Sequence, residues 1–376
     1  MTPFGKDIHA LTLDDLERFL ADADSEPLLW EAKGAGVSTG SIRKAVCGFA
    51  NGREPAYLIL GAEQDDDGWR LEGTDRDDPP AWVSDAIGSR LRPVPRLDVA
   101  TIRVTRGRRV AVVQVLPVAV PPCMTDGTVY ERVSGRTVAV QDPERLADLY
   151  RRGDIARENA LASSGSVARA LLEDGRLVGV NELWPRIAVG VGASGIADDI
   201  GSLLFAESFE EILRETVDRR LTDGRSDSDH PFGPQVSTGF EQSNRWSDCA
   251  DHHGSGLPVD WHLRAIWNGS VGVYATWHVD SCAPEQLVAT LIAPAWQAAS
   301  DLVAAVGGYG PAFSEIRVEG RRTLRGRDGK PIREIRMNRG PHDLALDQKL
   351  ISSVERELRR SVGQFVYEPN PRQDVG

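Results

Sequence analysis

Three acidic residues and a lysine near the amino end are the first candidates for chemistry: Glu26, Glu31, Lys33 and Glu63. Residues two apart in a strand project from one face, so a strand over 28–33 (LLWEAK) sets the Glu31 carboxylate beside the Lys33 ammonium and turns Ala32 away. Glu63 follows AYLILGA at 56–62, which reads as a buried strand, and the carboxyl ends of such strands are where α/β sheets gather ligand groups. Glu26 stands at the entrance to the first strand. Clustered carboxylates suit Mg2+ or Mn2+, hard ions that take oxygen ligands, and a nearby lysine would hold a phosphate or steady a leaving oxygen. Phosphodiester hydrolysis needs this equipment. On spacing alone, a simpler account covers the same residues: solvated surface charges, with Lys33 in a salt bridge contributing about 1 kcal/mol or less.

Arginines supply the other requirement of a phosphate-binding surface, since cation–phosphate contacts carry most non-specific nucleic-acid affinity. Arg103, Arg106, Arg108 and Arg109 concentrate on one expected hairpin. Arg132 and Arg136 flank a Ser134-Gly135 turn, where the Ser134 hydroxyl or neighbouring backbone N–H groups could grip a phosphate. A charged hairpin edge that blocks aggregation is the competing account. Residues 317–339 are the most basic stretch and would either extend a binding surface or form a polar turn between elements. The net charge of −12 excludes a protein coated in basic residues for packaging DNA, but not a local basic groove.

The elements that must position these groups follow from periodicity. Thr12 and Asp15 open an amphipathic helix through Leu16, Phe19 and Leu20, in the manner of a capping box. Residues 41–51 read as a helix with Ile42, Ala45, Val46 and Phe49 on one face. Pro79 and Pro80 open another. Strands at 97–105 and 110–116 pair, a short hairpin spans 128–140, and a helix from Pro143 is expected to end at Gly153. The small, polar run ENALASSGS at 158–166 suits a linker. The predicted organisation is therefore a nucleic-acid-binding domain over 1–157, a linker over 158–170 and a C-terminal α+β domain over 171–376, two cores being the expectation for 376 residues. In the second block, helix signals at 203–220 precede a polar loop over 222–258. A hairpin turns at Asn268-Gly269, and helices over 284–306 and 343–360 flank strands at 313–319 and near Phe365.

Motif order then points to a family. EPLLWEAKG, IRKAVCGFANG, YLILGAE and VYERVSGRTVAV, before a closing leucine-rich helix, resemble the Schlafen-type AlbA domain over residues 20–155. The resemblance implies an α+β fold with a mixed sheet, a metal-binding nuclease site at Glu26, Glu31 and Glu63 with Lys33 on phosphate, and RNA or DNA as partner. Phe49, Ala50 and Asn51 match the family's helix-ending triplet. Departures are Ala32 where an aromatic residue is usual, Pro55-Ala56 in place of a glycine pair, and Glu63 in place of aspartate. The first two favour a non-catalytic regulator whose C-terminal domain senses a ligand or protein partner, the alternative to a metal-dependent RNA endonuclease acting in defence or stress. Active nucleases of the family carry two such lobes per chain, so a single lobe implies a homodimer if a closed channel is to form. An interaction scaffold without affinity for nucleic acid is the third alternative.

Other constellations are weaker. Cys249, His252 and His253, with His230 or Cys282, lack a second CxxC or HxxxH pair, so zinc is not expected. GVGASG at 190–195 lacks the Gly-Lys-Ser/Thr ending of a P-loop and reads as a turn opening a helix. Trp261, Trp267 and Trp277 read as core. Four scattered cysteines argue against a disulfide framework. No signal-like apolar start and no run of about 18 apolar residues stand out, so the expectation is a cytoplasmic protein that engages no membrane.

Overall fold

The computed structural model describes residues 3–23, 28–65, 68–88, 90–177, 185–196, 211–212, 215–216, 219–221, 233–235, 239–244, 259–266, 268–277, 281–320, 324–325, 330, 334–362 and 364–366. The chain is α+β and divides into two compact units, Met1–Ile155 and Ala156–Gly376.

Unit 1 is built on a mixed sheet. Strand β1 (Trp30–Lys33) runs parallel to β2 (Ala56–Leu60), with β3 (Ala62–Asp65) and β4 (Gly68–Leu71) forming a separate hairpin. After β5 (Leu91–Arg92), strands β6 (Leu97–Thr105) and β7 (Arg108–Val115) complete the sheet in the order β1-β2-β7-β6. A second, antiparallel sheet has the order β10-β9-β8-β5, with β8 Met124–Thr125, β9 Thr128–Val133 and β10 Arg136–Ala139. AYLIL in β2 is apolar throughout because both of its faces are buried. Leu58 and Leu60 pack with Ile42, Val46 and Phe49 of α2 (Thr39–Ala50) and with Val83 and Ile87 of α3 (Pro79–Gly88). Tyr57 and Ile59 pack on the opposite face with Leu16 and Leu20 of α1 (Leu13–Ala21), whose Thr12–Asp15 capping box is formed.

Asn51 explains the end of α2. Its side-chain amide donates to the carbonyls of Cys123 and Tyr130, both at 2.8 Å, while its oxygen accepts from the Cys123 N–H at 2.6 Å. One buried side chain thus stitches the helix end to the second sheet.

The expected stop at Gly153 and the linker at 158–170 are both overturned, because α4 is one helix from Pro143 to Leu177. Gly153 lies where a side chain would strike the Pro121 carbonyl, 2.3 Å from an ideal Cβ, so it serves close packing. The small residues that suggested a linker lie against the sheet of unit 2, where ideal Cβ atoms on Gly190 and Gly192 would be 2.0 Å from the Ser164 carbonyl and 2.7 Å from the Ala160 carbonyl, and the following Val167, Ala168, Leu171 and Leu172 pack with Ala188 and Tyr274.

That sheet has seven antiparallel strands in the order β12-β13-β14-β15-β11-β17-β19. These are β11 (Arg186–Gly195), β12 (Gly233–Gln235), β13 (Gly239–Asn244), β14 (Val259–Ala265), β15 (Val271–Trp277), β17 (Tyr309–Glu319) and β19 (Glu334–His342). Short strands β16 (Ser281–Cys282), β18 (Leu324–Arg325) and β20 (Gln364–Val366) form a second, smaller sheet of unit 2. The residues 190–195 are thus strand, not a turn opening a helix. Part of the expected loop at 222–258 is strand as well; most of the expected helix at 203–220 lies outside the described residues, as do Trp267, His230, Cys249, His252 and His253.

Helices α5 (Pro284–Ala305) and α6 (Gln348–Ser361) cover one face of the large sheet. By length and composition α5 could cross a membrane, but Leu287, Leu291, Trp296 and Leu302 are core residues packed with Val189, Val273, Trp261 and Trp277. Three described arginines of the basic 317–339 stretch are committed to ion pairs: Arg317 and Arg336 share the buried Glu315, and Arg339 pairs with Glu357.

In unit 2, His342 donates from Nδ1 to the Asp343 carbonyl at 2.7 Å, which leaves Nε2 to accept from the Ser314 hydroxyl at 2.8 Å. Burial depresses the His342 pKa. As pH falls, the unfolded chain takes up this proton first, near the ordinary histidine value of about 6.5, and stability declines until the lower folded-state pKa is passed. Thermal unfolding at pH 7 and pH 5 should therefore show a larger drop for the native protein than for His342→Gln.

Candidate functional site

Strand alternation in β1 sends Trp30 and Ala32 to the α1 side of the sheet and Glu31 to the α2 side, where β9 and β10 cross over it. Glu31 is 5% exposed. One carboxylate oxygen meets Lys33 Nζ; the other accepts from Arg132 Nη1 and, at 3.3 Å, from Thr137 Oγ1. Arg132 is fixed in turn by a bond from Nη2 to the Trp30 carbonyl at 3.0 Å, and its guanidinium lies over the Phe49 ring, 5.2 Å from the centroid. The expected Glu31–Lys33 convergence is present, but Glu31 sits beneath the surface, clamped by two cations.

Lys33 lines an open cleft of about 560 Å3 with Gly34, Glu63, Trp69, Ser134 and Arg136. Glu63 reaches it differently from the expectation. Strand β2 ends at Leu60, Gly61 turns the chain with φ +96°, and Glu63 projects from the separate β3 hairpin against Gly34. An ideal Cβ on Gly34 would lie 3.1 Å from Glu63 Oε2, so glycine keeps that approach open. Across the cleft, Ser134 (φ +47°) and Gly135 (φ +78°) make the tight turn of the β9–β10 hairpin. Two consecutive positive φ values match the twist of paired strands, as they do at Asp126-Gly127 between β8 and β9.

Trp69 is the residue that sequence reasoning missed. It stands edge-on to Trp30 at 5.5 Å and donates from Nε1 to the Ala23 carbonyl at 3.3 Å, which fixes the indole on the cleft wall. An aromatic residue after the acidic turn at 65–67 was the available signal. Arg103, Arg106, Arg108 and Arg109 are not among the cleft's lining residues. Their hairpin is at the β6 edge, the opposite edge of the sheet from β1, where Arg108 and Arg109 donate to the carbonyls of Glu72 and Asp77, both at 3.3 Å.

Glu26 lies outside the described residues. Among the described residues no group of three or more acidic, histidine or cysteine side chains is placed to hold a metal ion. Glu31, whose oxygens are engaged by Lys33, Arg132 and Thr137, does not fit as a ligand in this arrangement; Glu63 is exposed on the cleft rim.

No curated protein matches the chain. Among solved structures, the N-terminal domain of a RecG-related protein from Nitrosomonas europaea is 25% identical, with a TM-score of 0.28 over 35% of this chain and 92% of that one. The DIP2311 protein from Corynebacterium diphtheriae is 22% identical, with a TM-score of 0.27 over 51% of this chain and 44% of that one. Residues 26–141 match the family model described as Schlafen, AlbA_2. Over that segment, and not beyond it, the chain is similar to the Schlafen AlbA_2 family.

Proposed function

We propose that unit 1 binds RNA or DNA, with the phosphate backbone held in the cleft by Lys33, Arg136 and the Ser134-Gly135 turn and a base or sugar laid against Trp69. The observation that carries this reading is the convergence, from three separate elements, of two cations, a positive-φ turn and a braced indole on one open cleft. Cations track the backbone and an aromatic face stacks on any base, which is the combination used for strand binding with little sequence preference. Glu31 is a positioning residue here: its two carboxylate oxygens orient Lys33 and Arg132 at the cleft's base.

Lys33→Ala combined with Arg136→Ala should weaken binding of a labelled oligonucleotide in fluorescence anisotropy. The plot of log affinity against log salt should also become shallower by about two, one for each lost phosphate contact. Unchanged affinity and slope would remove the cleft from consideration, and an absence of any salt-dependent binding by the native protein would return the scaffold reading to first place.

Binding without cleavage, as in a regulator, is the reading favoured by the engagement of Glu31 with two cations. The exposed Glu63 beside Lys33 favours the competing reading, a Mg2+- or Mn2+-dependent endonuclease in which Glu26, Glu31 and Glu63 would hold the ion once Glu31 is released from Lys33 and Arg132. Structured RNA incubated with Mn2+ separates the two: cleavage lost in Glu31→Ala and Glu63→Ala supports hydrolysis, and intact RNA at full binding supports the regulator. A homodimer that closes a channel around the strand belongs to the same proposal; a monomeric mass by light scattering at micromolar concentration rules it out.

A further inference from the structure

On the other side of the Ser134-Gly135 turn lies a second hollow in unit 1, of about 750 Å3, a size typical of small-ligand sites. Its walls are of two kinds. Leu28, Leu29, Phe49 and Ala56 make an apolar side; Leu28 and Leu29 are 53% and 38% exposed, although a folded chain gains by covering such side chains. The other side is cationic. Arg152 donates to the carbonyls of Asn51 and Gly52 at 3.1 and 2.8 Å, which anchors its guanidinium at the end of α2, and the exposed Arg53 stands close by. Burial, and then the positive charge of Arg53, lower the Arg152 pKa, the signature of two like charges held together in a half-buried place.

The remaining charges do not cancel that pair. Arg145 is matched by a two-bonded contact with Glu131, both bonds at 2.8 Å, and Arg132 is matched by Glu31. Among the described residues, Glu54 is the one lining carboxylate outside these pairs, and it is exposed. The complementary ligand has a flat apolar part and a negative charge. The hollow shares Ser134 and Gly135 with the first cleft, so a strand crossing the turn would meet both.

We infer that this hollow takes an unpaired base of the bound strand against Leu28, Leu29 and Phe49, with Arg53 and Arg152 on its phosphate, and that it makes unit 1 selective for single-stranded over duplex nucleic acid. A base in a duplex would first have to leave its stack, at a cost of about a few kcal/mol, before entering such a concavity. The inference rests on the nucleic-acid reading above and extends it.

The test is anisotropy with a labelled single strand and a hairpin of equal length, using the full chain, the double variant L28S/L29S and R53Q. The altered side chains are solvent-exposed, and thermal unfolding checks that each variant is folded. The native protein should prefer the single strand. L28S/L29S should lose about fivefold in single-strand affinity, the scale for removing roughly 1 kcal/mol of apolar contact, and keep its hairpin affinity. R53Q should lower the single-strand salt slope by about one and leave the hairpin slope unchanged. Equal losses on both probes, or none on either, overturn the inference while the sensitivity of binding to K33A/R136A leaves the first cleft standing. If the native protein binds neither probe, both readings fall together.

Discussion

Arg132→Ala should cost unit 1 about 3–5 kcal/mol, the range for removing one partner of a buried ion pair. Truncation leaves the Glu31 carboxylate, 5% exposed in the native protein, with Lys33 as its remaining cation. The same change removes the bond to the Trp30 carbonyl and the guanidinium lying over Phe49, so β9 loses its polar tie to β1. Replacing both ends at once, as in E31L/R132M, should recover most of the loss, because two apolar groups of similar size leave no uncompensated charge. Urea unfolding of the native, single and double variants measures this directly. The double variant also separates stability from function: a folded unit whose Lys33 is no longer oriented should bind oligonucleotide more weakly. A single-variant loss under about 1 kcal/mol would show that Glu31 and Arg132 are a surface-like pair rather than the clamp beneath the cleft.

Gly190→Ala should be the most damaging small substitution in unit 2, costing about 3 kcal/mol, at the upper end of the usual range for overpacking. An ideal Cβ at this strand position lies 2.0 Å from the Ser164 backbone carbonyl and 2.8 Å from Val167 Cγ1. A backbone atom cannot swing aside as a flexible side chain can, so α4 must withdraw from the sheet. That movement opens the packing of Val167, Ala168, Leu171 and Leu172 on Ala188 and Tyr274. Hydrogen exchange should report lost protection along β11 and in α4 from 160 to 172. Gly36→Ala is the control: nothing lies within 4 Å of its ideal Cβ, so little change is expected there.

The helix–sheet contact at Gly190 also marks where sequence reasoning met its limit. A run of alanine, serine and glycine has the same composition whether it is a solvated linker or a helix lying close against a strand. What distinguishes the two is the partner: here the glycines of β11 are shaped to receive the small residues of α4, and neither half of that fit is visible in the other's local pattern. Elements whose signal is local were legible. Thr12 with Asp15 declared the start of α1, the alternation around Asn268-Gly269 declared the β14–β15 hairpin, and the unbroken apolar run of β2 declared a strand covered on both faces.

For the site, the sequence by itself determined the pairing of Glu31 with Lys33, since period-two geometry puts them on one face, and the turn at Ser134-Gly135, where glycine accepts one of the two positive φ values without strain. Tertiary structure decided everything that depends on distance along the chain. It buried Glu31 under Arg132, about a hundred positions away, and so set an expected ligand against a second cation. It carried Glu63 onto its own hairpin, brought Trp69 to the cleft wall and left Arg103, Arg106, Arg108 and Arg109 off that wall. The physical reason is that charge and residue type set what a side chain can do, whereas burial and neighbours, which follow from packing, set what it does.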